Sequence, residues 1–258
     1  MPVSRIPEID YEELTNSELE TLVGAYFNLE KEKREDSLAR LVEQATLIEG
    51  KKGRGKSLIA LSIAWWLREL FNRPVITVGS KMGLKPSFGP HKVMSEMDFR
   101  NELNQLSVVA NEEDNAENVA KAFEKYGISI LYSTLVFDEA YKLFNSRTPM
   151  DKLVQLFGMF VAQSRHYHVT ILLLTPDRSM VDGKRVRPQM DWNGRVYHNK
   201  YTNKARLRLI SGIETMTLEV DGLNDPDPDN PFYYMYDSWA LLGYRASQLN
   251  VGGVNGST

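Results

Sequence analysis

The eight residues from Gly50 to Ser57 constrain the fold of this chain more than any other stretch. They read Gly-Lys-Lys-Gly-Arg-Gly-Lys-Ser, which fits the pattern G-x-x-x-x-G-K-[ST] of a phosphate-binding loop. Residues 45–48 before the loop are typical of a buried strand, and residues 58–71 after it are typical of a buried helix. Glycines let backbone N–H groups converge on phosphate oxygens, and the helix N-terminus adds partial positive charge. The stretch therefore predicts a nucleoside-triphosphate site between a strand and a helix.

Every residue of this loop is a candidate nucleotide contact. We expect Lys56 to reach the β- and γ-phosphates of ATP and the Ser57 hydroxyl to hold Mg²⁺. The alternative is a surface turn rich in glycine and lysine, but the flanking strand and helix favour the phosphate loop. ATP and Mg²⁺ are thus the predicted cofactors. The predicted nucleotide-binding residues are Gly50, Lys51, Lys52, Gly53, Arg54, Gly55, Lys56 and Ser57.

A second motif lies in residues 130–139, an apolar run that ends in Asp-Glu. A nucleotide hydrolase needs a carboxylate opposite its phosphate loop, so Asp138 is predicted to bind Mg²⁺, mostly through water. Glu139 is predicted to polarise the attacking water as a general base. Alone, the pair also fits a strand followed by an acidic helix start. Together with the phosphate loop it indicates hydrolysis rather than binding alone.

The apolar run at residues 169–175 predicts a further buried strand, which ends at Thr175. A polar side chain at that strand end could contact the γ-phosphate or the attacking water. Thr175 is therefore a candidate site residue, and a purely structural threonine is the alternative.

Strand-like and helix-like stretches alternate from residue 45 onward, with residues 75–78 as the next strand after the loop helix. Such alternation implies parallel strands joined by right-handed crossovers. Beyond Pro176 the pattern changes to short antiparallel strands, at residues 195–198, 205–210 and 215–220. The predicted fold class is α/β: a mainly parallel P-loop NTPase sheet sandwiched by helices, with an N-terminal helical extension and a C-terminal antiparallel β addition. The expected divisions are the extension at 1–44, the ATPase domain at 45–245 with its β-rich part at 190–245, and a flexible tail at 246–258.

The extension contains two amphipathic stretches. The first opens on a capping-box pattern at residues 17–20, and the second carries Leu38, Leu41 and Val42. Such helices either pack beside the sheet of their own chain or form an arm that contacts another subunit. Further helices are predicted at residues 94–106 and 114–126 and from Pro149 onward.

Composition excludes several classes of protein. A hydrophobic content of 42% and a charged content of 25% are those of a soluble globular protein. With no cysteine, the chain has no disulfide framework, zinc finger or thiol nucleophile. The longest apolar run is too short to span a bilayer, and the N-terminus lacks a signal-peptide core, so we expect a protein of the cytoplasm, or of the host cytoplasm if viral, with no membrane segment. His166 and His168 flank one tyrosine, and with four histidines and no cysteine we do not expect a protein-built metal site there.

Charge is distributed unevenly along the chain. Residues 1–49 hold twelve Asp and Glu against five Lys and Arg, whereas residues 161–210 hold ten Lys and Arg against three Asp. A polyanion would therefore bind the C-terminal part. The basic segment 184–208 is predicted to contact double-stranded DNA through its phosphates, and a solvated sheet face is the alternative.

Several short motifs follow the phosphate loop in a fixed order. They are Leu-Val-Phe-Asp-Glu-Ala (135–140), Asn-Ser-Arg (145–147), Ser-Arg-His-Tyr-His (164–168), Met-Val-Asp (180–182) followed by Arg185 and Arg187, and Tyr-Asp-Ser (236–238). This order resembles the zonula occludens toxin-like ATPases of phages and archaeal viruses, within the FtsK–HerA class of DNA-pumping and virion-morphogenesis motors. The resemblance spans residues 45–240.

The chain departs from that family at two points. Family members usually place Gln directly after the strand-ending Thr, whereas here Thr175 is followed by Pro176 and Asp177. The Thr-Pro ending is also similar to the DnaA-like ATPases of archaeal spindle-shaped viruses, which leaves packaging and replication both open. Many toxin-like members carry a transmembrane segment after the ATPase domain, and this sequence shows none.

The resemblance implies an ATPase motor that drives DNA translocation, genome packaging or virion morphogenesis for a virus or mobile element. ATP would lie between the subunits of a homo-oligomeric ring, with Arg147 or Arg165 acting in trans as an arginine finger. An ordinary surface ion pair is the alternative for each arginine. The other functions considered are a replication initiator or loader that uses ATP as a switch, a small-molecule kinase, and a scaffold that binds ATP only for assembly.

Overall fold

The computed structural model describes residues 34–79, 84, 88–112, 127–148, 151–199 and 204–220. One eight-stranded sheet organises these residues, in the order β3-β2-β4-β5-β1-β6-β7-β8. The strands are β1 (Ala45–Glu49), β2 (Val75–Val78), β3 (Lys92–Met94), β4 (Thr134–Phe137), β5 (Thr170–Thr175), β6 (Trp192–Asn199), β7 (Lys204–Ser211) and β8 (Glu214–Val220).

The first six strands of that order are parallel, and the last two pairings are antiparallel. This confirms the α/β class with a mainly parallel sheet and a C-terminal antiparallel addition. The strand predicted at 195–198 has a further role. As part of β6 it pairs in parallel with β1 on one side and antiparallel with β7 on the other, so it joins the two parts of the sheet.

Helices cover both faces of the sheet. The α1 helix (Lys56–Phe71) packs on one face, with the side chains of Ile48, Leu172, Leu174 and the inner residues of β6–β8. The α2 helix (Glu96–Glu112) and the α3 helix (Lys152–Ala162) pack on the other face, against the alternate residues of β1, β2, β4 and β5. Because the central strands are buried on both faces, they read as continuous apolar runs rather than as an alternating pattern.

The β5 strand lies between β1 and β4. Its last residue, Thr175, is opposite Glu49 of β1, and its Leu173 is opposite Phe137 of β4. Since all three strands are parallel, the phosphate loop after β1 and the Asp-Glu pair after β4 emerge at the same edge of the sheet. The fold thus brings together two motifs that are far apart in sequence.

Two predicted boundaries were wrong. Residues 130–133 are a turn rather than the start of β4, since Tyr132 has a φ of 54° and the Ser133 hydroxyl donates to the Ile130 carbonyl at 2.5 Å. Met94 ends the short β3 strand instead of opening a helix. The α2 helix begins after Ser95, whose hydroxyl accepts from the Asp98 N–H at 3.1 Å and donates to the Asp98 carboxylate at 2.7 Å.

Part of the predicted N-terminal extension packs into the same body. Residues 34–39 are helical, and both Leu38 and Leu41 are completely buried against α1. For this stretch the structure supports packing within the chain over a subunit-contact arm. The helix after the capping box at 17–20, the helix at 114–126, Pro149 and the tail at 246–258 lie outside the described residues.

Candidate nucleotide site

The phosphate loop takes the backbone shape that its glycines permit. Gly53 and Gly55 have positive φ values of 75° and 87°, a region that residues with a Cβ rarely adopt. The Arg54 N–H donates to the Lys51 carbonyl at 3.3 Å, and the Gly50 N–H donates to the Thr175 carbonyl at 3.2 Å. The loop is therefore curled on itself and fixed to the end of β5.

The N-terminus of α1 is open toward this loop. Its N-cap, Gly55, offers no side-chain hydrogen bond, and the first turn contains no acidic residue. The α3 helix differs, because the Asp151 carboxylate accepts from the Leu153 N–H at 2.7 Å. An uncapped helix start with free N–H groups is a ready site for a phosphate group.

Lys56 lies between the loop and the acidic pair. Its ammonium group donates to the Lys51 carbonyl at 3.2 Å. Partial burial lowers the pKa of Lys56, while the nearby charges of Asp138 and Glu139 act in the opposite direction. A half-buried ammonium beside the curled loop is suited to bind phosphate oxygens.

Ser57 and Asp138 face one another across β5. The Ser57 hydroxyl is 3.5 Å from Asp138 Oδ1, although the two residues are 81 positions apart. Burial, followed by repulsion from Glu139, raises the pKa of Asp138. A desolvated carboxylate beside a hydroxyl provides the oxygen ligands that Mg²⁺ prefers, and a cation there would relieve the unfavourable charge. These residues therefore fit the predicted Mg²⁺ site, and among the described residues no cluster of three His or acidic side chains forms a separate metal site.

Glu139 has an unusual backbone conformation for a glutamate, with a φ of 53°. Non-glycine residues in this region are often found at functional sites. Its carboxylate is about half exposed, forms an ion pair with the Lys142 ammonium, and lies 3.5 Å from the Tyr141 hydroxyl. This pairing raises the pKa of Lys142. Lys142 was not predicted as a site residue, because an i,i+3 ion pair in a short turn has no sequence signal beyond its charge.

Thr175 lies at the correct edge but faces away from solvent. Its side chain is completely buried, and its hydroxyl donates to the Asp177 carbonyl at 2.8 Å. In this arrangement the hydroxyl stabilises the turn after β5. The Thr175 carbonyl accepts from the N–H of Gly50, the first glycine of the phosphate loop, so Thr175 contacts the loop through its backbone.

The two candidate arginine fingers lie at opposite ends of the parallel strands, Arg147 near the carboxyl ends and Arg165 near the amino ends. Arg147 is exposed and follows β4 on the nucleotide edge, and its N–H donates to Asn145 Oδ1 at 2.9 Å. Arg165 bonds with Gln44 and Asp191, which directly precede β1 and β6, at 2.9 and 2.8 Å. The length of the strands, about 3.3 Å per residue, separates Arg165 from the phosphate loop of its own chain.

A cleft beside the phosphate loop was missed by the sequence reasoning. It encloses about 440 Å³ over β1, β6 and β7. Exposed Tyr197 and three arginines line it, and only the alternation of Arg195 with Tyr197 on β6 and of Arg208 with Ile210 on β7 could have indicated a shared face. The lining residues are Leu47, Glu49, Asp177, Arg178, Asn193, Gly194, Arg195, Tyr197, Arg208 and Ile210.

The basic segment 184–208 is divided between two surfaces. Lys184, Arg185 and Arg187 belong to the crossover from β5 to β6, which passes over α3. Arg195 and Arg208 are directly opposite each other on β6 and β7, on the face away from α1. Like charges in opposite positions of an antiparallel pair destabilise a sheet, so this face is suited to an anionic or aromatic partner.

The fold and this site together define a P-loop nucleotide-binding protein, in which the Ser57–Asp138 contact lies next to an uncapped helix start. The chain belongs to the zonular occludens toxin (Zot) family, whose model matches residues 45–238. This confirms the resemblance predicted from the motifs. A comparison with curated proteins gives no match.

Solved structures of low sequence identity are also similar to the chain. The pCW3 conjugation coupling protein TcpA, solved with ATPγS, is 16% identical with a TM-score of 0.47; the match covers 69% of this chain and 60% of TcpA. The genome-packaging NTPase B204 of Sulfolobus turreted icosahedral virus 2, solved with AMPPCP, is 13% identical with a TM-score of 0.44, covering 68% of this chain and 96% of B204. B204 from Sulfolobus turreted icosahedral virus is 15% identical with a TM-score of 0.45, covering 69% and 97%.

None of the helices in the described part of the chain is both long and apolar enough to cross a membrane.

Proposed function

We propose that this protein is an ATPase that hydrolyses Mg-ATP to move double-stranded DNA during genome packaging, transfer or virion morphogenesis of a virus or mobile element. The observation that carries the proposal is the contact between Ser57 and Asp138, with Glu139 at the same sheet edge. Membership of the Zot family supports it. A kinase would need a phosphate acceptor, and nothing in this arrangement favours one over water.

In the proposed mechanism, the backbone N–H groups of the loop and the Lys56 ammonium bind the β- and γ-phosphates and orient the γ-phosphoryl group. The Glu139 carboxylate accepts a hydrogen bond from the attacking water and withdraws its proton. For that step the Glu139 carboxylate must leave Lys142, with which it is now paired. Mg²⁺ held by Ser57 and Asp138 would neutralise charge on the phosphates.

The proposed DNA contact is the part of the basic segment 184–208 that forms the crossover from β5 to β6, at residues 184–187. Its exposed lysine and arginine side chains would neutralise phosphates without reading bases. In this crossover Lys184 is exposed, and Arg185 and Arg187 are partly exposed where the chain passes over α3.

A ring of subunits is proposed to complete the site. Arg147 is the better candidate for a finger in trans, since it is exposed at the nucleotide edge and makes no ion pair within the described part of the chain. Arg165 is already paired with Asp191 at the opposite edge. Elution of a larger species from a sizing column with a non-hydrolysable ATP analogue would support the ring.

An initiator or loader that uses ATP as a switch is the second candidate. One observation favours it. The Thr175 hydroxyl at the end of β5 donates to the Asp177 carbonyl, and no glutamine follows Thr175 as a γ-phosphate sensor. Slow turnover and preference for one DNA sequence would identify this function.

The direct test is phosphate release from Mg-ATP with and without double-stranded DNA, for the wild-type protein and Lys56→Ala. We expect DNA-stimulated release by the wild type and loss of release in the variant. Lys152→Ala, at the exposed start of α3, is the control for removal of a lysine away from the phosphate loop and from the proposed DNA contact. Full DNA-stimulated activity of Lys56→Ala would rule the proposal out.

A further inference from the structure

We propose that the cleft over β1, β6 and β7 binds the nucleoside end of the triphosphate, with Tyr197 as the surface on which the base stacks. This inference rests on the proposed function, because it takes the phosphates to be held by the loop at residues 50–57. It adds a second half to the site: the loop binds phosphate, and the cleft binds base and ribose.

The strand register places the cleft directly beside the loop. The pairing of β1 with β6 ends with Glu49 opposite Arg195, so Val196 comes to lie beside Gly50. The packing also shows that Gly50 and Val196 are neighbours, since a Cβ on Gly50 would lie only 3.3 Å from the Cβ of Val196. Tyr197 is one residue further along β6 and points to the other face of the sheet. Its ring therefore lies on the face away from α1, just past the end of β1, where Glu49 leads into the phosphate loop.

Tyr197 offers an open aromatic surface. The residue is 48% exposed, although it lies in the interior of a strand. The guanidinium of Arg195 is 5.9 Å from the centre of its ring, and Ile210, which also lines the cleft, is 44% exposed. A planar base could stack on this ring with apolar contact from Ile210. The volume of about 440 Å³ falls in the usual range for small-molecule sites.

The charges of the cleft favour a nucleoside over a strand of nucleic acid. Glu49 and Asp177 line the cleft together with Arg178, Arg195 and Arg208. The Glu49 carboxylate is 3.7 Å from the Arg195 guanidinium and accepts from the Arg178 N–H at 3.3 Å. Hydrogen bonds from Ser179 lower the pKa of Asp177, so this carboxyl is ionised at neutral pH. Carboxylates repel a phosphate backbone, whereas they accept hydrogen bonds from ribose hydroxyls and from an amino group of a base.

A second exposed tyrosine provides a matched control. Tyr132 is 54% exposed and lies just before β4, at the sheet edge opposite the phosphate loop. Its ring already stacks on His168, with the ring centres 4.9 Å apart. Substitution of Tyr132 thus removes a tyrosine of similar exposure without touching the cleft.

The experiment compares two ligands that differ only in the nucleoside, Mg-ATP and Mg-tripolyphosphate, by calorimetric binding to the full chain. Tyr197→Leu should weaken ATP binding by roughly 5- to 150-fold, the usual loss of one stacked base. It should leave tripolyphosphate binding unchanged. Tyr197→Phe should retain ATP binding because it retains the ring, and Tyr132→Leu should match the wild type with both ligands. Thermal unfolding of Tyr197→Leu close to that of the wild type would show that the fold is intact.

Two results would overturn the inference. One is unchanged ATP affinity in Tyr197→Leu, and the other is an equal loss of affinity for both ligands. Failure of the proposed function gives a different result. In that case the wild type binds neither ligand, or Lys56→Ala binds both ligands as tightly as the wild type. Either result would also contradict the inference.

Discussion

Glu139 combines three features that are rare in one carboxylate: a left-handed backbone, partial exposure and a position beside the buried Asp138. If it is the general base, Glu139→Gln should lower kcat by about 10²- to 10⁴-fold, the usual contribution of such a group. The affinity for ATP should remain, since glutamine keeps the shape of the side chain. Rapid-quench measurement of turnover, together with equilibrium binding of ATP, checks both points. A variant that turns over normally would remove Glu139 from the mechanism.

The ionised form of Asp138 lowers the stability of the folded protein, although this carboxylate is proposed to serve the site. Its folded pKa lies above the unfolded value, mainly because of burial and then because of Glu139. The folded state therefore binds more protons than the unfolded state, and this favourable contribution is complete below the unfolded pKa. It is lost as the pH rises through the folded pKa.

Asp138→Asn should consequently stabilise the metal-free protein at neutral pH, by about 2–4 °C in Tm. The gain should disappear at a pH below the unfolded pKa of an aspartate, where the wild-type carboxyl is protonated. Thermal melts at neutral and acidic pH test this, with the exposed Asp36→Asn as the control. A destabilised Asp138→Asn protein at neutral pH would contradict the account.

At the scale of elements, the crossover from β5 to β6 is held by one buried carboxylate. Asp182 is 1% exposed, and its Oδ1 accepts from the N–H groups of Lys184, Arg185 and Val186 at 3.2, 2.6 and 3.2 Å. Its own N–H donates to the Phe144 carbonyl at 2.9 Å, which joins the crossover to the segment after β4. The carboxylate thus fixes the loop that carries the proposed DNA contacts.

Asp182→Ala would leave these N–H groups without an acceptor, and we expect unfolding free energy to fall by about 2 kcal/mol. Asp182→Asn keeps an acceptor oxygen and should lose less. Urea unfolding of the two variants beside the wild type gives the comparison. Equal stability of all three proteins would show that the loop does not depend on this group.

The sequence predicted those elements whose pattern is local. The phosphate loop, the Asp-Glu pair and their shared sheet edge follow from motif spacing and from the rule that parallel strand ends converge. Two outcomes depended on packing that a local pattern does not contain. The parallel pairing of β6 with β1 could not be predicted, because its alternation fits either direction. The inward turn of the Thr175 hydroxyl depends on the carbonyl of Asp177, which only the folded turn brings near.

At the scale of the whole molecule, the nucleotide site lies at the carboxyl ends of the parallel strands, and the basic crossover lies on the face that carries α3. If Lys184 contacts DNA phosphate, Lys184→Gln should weaken DNA binding equally for all sequences. It should also reduce the slope of log K against log salt concentration by about 1. Lys152→Gln, at the exposed start of α3, is the control for loss of one positive charge. Fluorescence anisotropy with duplexes over a range of salt concentrations checks this, and an unchanged slope would exclude Lys184 from the interface.

The central claim is that ATP hydrolysis at the loop of residues 50–57 moves the protein along double-stranded DNA. Displacement of a third strand from a triplex measures that movement directly. We predict displacement that requires Mg-ATP and is absent with a non-hydrolysable analogue and in Lys56→Ala. Hydrolysis of ATP by the wild type without displacement would contradict the motor and leave ATP as a switch.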